Sequence, residues 1–198
     1  RLAKRHRHVL VAVLVINLVM FAIELASGLM ADSLALVGDS LDMLGDAVTY
    51  AGSLWVVGLG VSAKAQVARL KAGIMLTFGL IISGRALWRA LSPEVPEFGV
   101  MLGIGALALV ANLGCLFLLT QHREDDINMR SVWICSRNDI VANTAVLGAA
   151  LLVAVWQTPW PDVVVGLGLA LLFTKSASTI FRDAASATAA EKRAAETR

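Results

Sequence analysis

An all-α membrane protein, a bundle of six transmembrane helices, is the fold class that three observations predict. Of 198 residues, 58% are hydrophobic and 16% charged, where an ordinary soluble domain is roughly 45–50% apolar and about 25% charged. A soluble core of this length cannot hide that much apolar surface, and a mean hydropathy of +0.74 points to lipid as the solvent. The apolar residues fall in long runs near the ~20 residues a spanning helix needs, not in the alternating ~10-residue segments of a membrane barrel. The formal net charge of +2 is too small to argue for nucleic acid, and two cysteines make no disulfide framework. Most cytosolic enzymes and the disordered and collagen-like classes are thereby excluded.

The first span, about 9–30, ends at Ala31-Asp32-Ser33. The second, about 34–60, is rich in small residues (Gly45, Gly52, Ser53, Gly58), which suits close helix contact. The third, about 70–91, follows a charged joint from Lys64 to Lys71 and stops at Ser92-Pro93. The fourth, about 98–120, runs from the Pro96-Glu97 turn to a polar stretch between Gln121 and Arg130. The fifth and sixth, about 131–155 and 161–181, are separated by Thr158-Pro159-Trp160-Pro161. The remaining Arg182 to Arg198, rich in Ala and charge, reads as a frayed helical extension, so residues 1–198 are expected to form a single transmembrane domain. With both termini on one side, that side takes every Lys and Arg except Arg85, Arg89 and Arg137. This asymmetry puts both termini in the cytoplasm of a multi-pass membrane protein.

Charges inside the spans carry the functional signal. The second span holds Asp39, Asp42 and Asp46, and the fifth holds Arg137, Asn138 and Asp139. An ionised side chain at a helix centre costs roughly 2.5–3.5 kcal/mol on insertion scales, so such a cluster marks function, partners or protonation. Asp42 and Asp46 are four residues apart, on one helix face, and Cys135 and Asp139 repeat that spacing. Together they supply four side-chain ligands, the number a tetrahedral dication such as Zn²⁺ takes. The competing reading is a pair of polar helices whose carboxyls are protonated or paired to Arg137.

Around these residues the spans carry further polar groups. Asp39, one turn from Asp42, reads as an exit-path carboxylate, as an acceptor supporting the ligands, or as a solvated group. Asn143, one turn beyond Asp139, reads as a supporting group or an interhelical hydrogen bond. Glu24 and Asn17 share a side of the first span, where a structural hydrogen bond is expected ahead of a role in transport. Arg137 is expected to snorkel, and Cys115 to pack as a small apolar residue.

At these positions the sequence resembles the cation diffusion facilitator family. The likeness covers the whole chain: Asn17 to Glu24 and Asp32 to Asp39 look like the family's opening, and its second-helix motif, His or Asp, three residues, then Asp, falls on Asp42 and Asp46. Its fifth-helix motif falls on Cys135 and Asp139, placed by Asn138-Asp139-Ile140-Val141-Ala142-Asn143, with Cys135 where His or Asp is usual. The resemblance implies a homodimeric secondary transporter, not an enzyme, that exports a divalent metal from the cytosol in exchange for protons. The chain looks like the short form that lacks the family's C-terminal cytoplasmic domain. Three carboxylates tolerate Mn²⁺, Fe²⁺ or Co²⁺, and one thiolate tilts the set toward Zn²⁺ first and Cd²⁺ second. No resident cofactor is expected, and the compact form suggests a bacterial inner membrane. The alternatives are a non-transporting membrane protein with a metal-sensing or assembly site, and a proton-coupled exporter of another solute.

Overall fold

The computed structural model of the chain describes the backbone of residues 2–55, 61–91, 94–122 and 127–196. Within these, the side chains of residues 2–6, 53, 55, 61–64, 67, 127–132, 134, 135, 187, 188 and 190–196 lie outside the description. The described residues fold into six helices: α1 (Leu2–Met30), α2 (Leu34–Trp55), α3 (Val61–Leu91), α4 (Phe98–Thr120), α5 (Ile127–Trp156) and α6 (Trp160–Glu196). Helices α1, α3 and α5 begin before the expected spans, and residues 56–60, expected to end the second span, lie outside the described residues. Residues 64–71, expected as a joint, lie inside α3, and the expected helical extension after residue 181 continues α6 to Glu196. Both are charged stretches that lengthen a helix past the bilayer, where nothing requires the helix to stop.

Among the described residues, five helices are long and apolar enough to cross a membrane, and α2 is not one of them. The reason is its three aspartates, and α2 tolerates them because it is the inner helix: it packs on α1, α3, α5 and α6. From Ala31 to Asp46 nearly every side chain of this segment is buried. The outer helices instead turn apolar side chains outward, such as Val15 and Val19 on α1, Val110 and Phe117 on α4, and Val155 on α5. That is the surface that lipid covers.

Packing follows from small residues. Lipid tails are as apolar as leucine, so helices associate through close contact and interhelical hydrogen bonds rather than hydrophobic burial alone. Ala35, Ala72, Ala149, Ala170 and Ala177 sit in the main core, with Leu36, Met75, Ile82 and Phe173 filling between them. The closest approach is at Gly166 on α6: a Cβ there would lie 2.6 Å from Leu34 Cβ and 2.8 Å from the Leu34 carbonyl carbon. Because one of those atoms is backbone, α2 and α6 would have to separate. Gly166→Ala is therefore expected to cost about 1–3 kcal/mol. Thermal unfolding in detergent should show a Tm lower by roughly 2–10 °C.

The connections after α1, α3 and α5 meet at one face, called here the distal face, opposite the termini. Asp32 takes a positive φ of 53°, a left-handed conformation that Asp tolerates better than most residues. Its carboxylate pairs with Arg89 and accepts a bond from Arg85 Nη2 at 3.0 Å. Arg89 also donates to the Glu94 carbonyl at 3.1 Å, and Glu97 N donates to Ala31 O at 3.0 Å. Beside them, Asp162 in the first turn of α6 caps α2. It accepts from Ser33 Oγ at 2.6 Å, Leu34 N at 2.8 Å and Ala35 N at 3.0 Å. Two otherwise unpaired helix N–H groups are thus satisfied by a carboxylate at the positive end of the helix dipole.

Candidate metal centre

Asp42 and Asp46 lie one turn apart on α2, and Asp139 faces them from α5. All three line one cavity of about 540 Å³, with Lys71 and Met75 from α3 and Lys175 and Thr179 from α6 completing its wall. Asp46 and Asp139 are buried and Asp42 is half-buried. In this conformation they line the cavity without closing into a coordination shell: among the described residues, no three His, Cys, Asp or Glu side chains are arranged to hold a metal ion. The side chain of Cys135, the fourth expected ligand, lies outside the described residues, one turn before Asp139 on α5.

Asp46 is the best-held of the three. Its Oδ2 accepts from Tyr50 OH at 2.8 Å, which is the next position on the same face of α2. Its Oδ1 stands 3.9 Å from Lys71 Nζ, and that ammonium donates to Thr49 Oγ1 at 2.6 Å. Sequence reasoning missed Lys71 as a cavity residue because it counted the lysine as part of a cytoplasmic joint. Tyr50 had a legible signal, the four-residue step from Asp46, and Thr49 had none. The site therefore combines three carboxylates, the ammonium groups of Lys71 and Lys175 and several hydroxyls, with the carboxylates in excess of the cations by one.

The other marked residues divide. Asp39 is not solvated: it is buried and accepts from Asn143 Nδ2 at 3.2 Å. Asn143 thus makes the interhelical hydrogen bond that was one of its two readings. The hydrogen bond expected of Asn17 and Glu24 forms only for Asn17. Asn17 Nδ2 donates to Val13 O at 2.9 Å and approaches Cys115 Sγ at 4.0 Å, whereas among the described residues neither oxygen of Glu24 has a partner. Cys115 packs with Leu10, Val13, Tyr50 and Leu119, as expected. Arg137 is exposed, 5.4 Å above the Trp133 ring, and not paired with an aspartate among the described residues. This arrangement is that of a snorkelling side chain whose charge rests on an aromatic face.

A bundle whose inner helix presents carboxylates to a cavity at mid-depth is the architecture of a membrane transporter for cations. The family model for the cation efflux transmembrane domain matches residues 10–187, and the chain belongs to that family. It is accordingly a multi-pass membrane protein of a metal-cation transporter family and not an enzyme. Comparison with curated proteins gives no match.

Proposed function

We propose that the protein exports Zn²⁺ from the cytosol in exchange for protons, with Cd²⁺ as its second cargo and Co²⁺, Mn²⁺ and Fe²⁺ as possible others. Asp42, Asp46, Cys135 and Asp139 are the proposed ligands. The observation that carries the reading is the convergence of Asp42 and Asp46 on α2 with Asp139 on α5 in one cavity. Four ligands suit a tetrahedral dication, and the thiolate favours Zn²⁺ and Cd²⁺ over harder ions. A dication needs its ligands deprotonated, so loading the site expels the protons its carboxyls and thiol hold. A site open to each side in turn then couples export to proton uptake, by rocking of the helices that carry it. We place the termini in the cytoplasm of a bacterial inner membrane and the working unit as a homodimer.

The test is Zn²⁺ flux into proteoliposomes under an imposed pH gradient. Flux should follow the gradient and collapse when a protonophore dissipates it. Flux indifferent to the gradient overturns proton exchange. Absence of flux for every metal named, in vesicles shown to hold folded protein, overturns the transport reading in favour of a sensing or assembly site.

A further inference from the structure

A second group of oxygens collects in the bundle, one helical turn from the proposed ligands and nearer the distal face. Asp39 precedes Asp42 by three residues on α2, and Asn143 follows Asp139 by four on α5. The bond from Asn143 Nδ2 to Asp39 Oδ1 leaves Asp39 Oδ2 and Asn143 Oδ1 buried without a donor. From α1 comes Glu24, 0% exposed, with both Oε1 and Oε2 unpartnered. One turn after Glu24, a Cβ at Gly28 would lie 3.0 Å from Leu36 Cβ and Val37 N, so the antiparallel α1 and α2 bring the Glu24 turn beside the Asp39 turn. The depths agree. Glu24 lies six residues before the end of α1 and Asp39 five after the start of α2, about 9 and 8 Å from the distal end at 1.5 Å per residue.

Four buried oxygens without a hydrogen-bond partner among the described residues are costly unless a proton or a cation joins them. Among the described residues no Lys or Arg does: the ion pairs are Lys71 with Asp46, and Arg85 and Arg89 with Asp32. Two carboxyls and a carbonyl oxygen from three different helices are a hard, oxygen-only donor set of the kind that takes a divalent cation. We propose that Glu24, Asp39 and Asn143 form a second divalent-cation site, one turn beyond the Asp42–Asp46–Asp139 site toward the distal face. Its placement on the exit route rests on the transport function proposed above; its capacity to bind a cation does not. An ion passed from a set containing a thiolate to one of oxygens alone is held less tightly if it is soft, so the second site would favour unloading of Zn²⁺ or Cd²⁺.

The test counts bound Mn²⁺, an oxygen-seeking dication, by equilibrium dialysis of the full chain in detergent at neutral pH. Asp46→Asn/Asp139→Asn, which disables the first site, should retain one Mn²⁺ per chain. Adding Glu24→Gln should weaken that binding by at least about tenfold. Adding Asn143→Asp instead should tighten it, a gain that a purely structural role does not produce. If the folded double variant binds no Mn²⁺, or binds it equally with and without Glu24→Gln, the second site is overturned. Zn²⁺ flux surviving in the double variant would overturn the first site instead, so the two readings fail separately.

Discussion

Asp46→Asn and Asp139→Asn should each reduce metal flux by roughly 100-fold or more, exceeding the effect of losing a supporting group around a metal. Each change removes one of the three carboxylates in the cavity and substitutes an amide of nearly the same size, so packing is spared and the loss is one of charge. Asp46→Asn should be the more severe. Lys71 Nζ lies 3.9 Å from Asp46 Oδ1, and without that carboxylate its ammonium faces the incoming dication uncompensated. Like charges a few ångströms apart in a partly dry cavity repel far more strongly than in water. Flux in proteoliposomes and equilibrium metal binding in detergent check this together. A variant that keeps more than a tenth of wild-type flux would remove its aspartate from the ligand set.

Asp162→Ala should produce the largest loss of stability. The carboxylate is fully buried and holds Ser33 Oγ, Leu34 N and Ala35 N at the start of α2. Alanine leaves two backbone N–H groups with no acceptor in a place water does not reach, at about 1–3 kcal/mol each. The favourable placement of a negative charge at a helix N-terminus is lost as well. The sum is roughly 2–6 kcal/mol, read as a fall in Tm of about 5–15 °C in detergent. Asp162→Asn keeps one oxygen for one of the N–H groups and should fall between. A wild-type Tm in both variants would show that the cap contributes nothing.

Most of the helical plan was legible because apolar runs, Pro, Gly and charge mark where a chain crosses lipid. Helix ends were less legible, as residues 64–71 show: charge signals the edge of the bilayer, not the end of a helix. The paired spacing on α2 singled out Asp42 and Asp46, since four residues make one turn whatever the surroundings. What faces that turn was not legible, because it depends on which helices meet. Lys71 enters the cavity only because α3 packs on α2, and the isolation of Glu24 emerges only where α1 does. Asp39 shows the same limit. Its nearness to the distal end left solvent as one of its readings, and burial beside Asn143 excludes that one.

Helices α3 and α6 are the longest, at 31 and 37 residues, and they pack against each other with Arg69 donating to the Ala184 carbonyl at 3.4 Å. At 1.5 Å per residue α6 is about 55 Å long, while the hydrocarbon of a bilayer is about 30 Å thick. Both helices also wall the carboxylate cavity. Geometry alone then sets a ratio: any tilt of the pair about the cavity would sweep its far end through a distance proportional to the length of helix beyond the cavity.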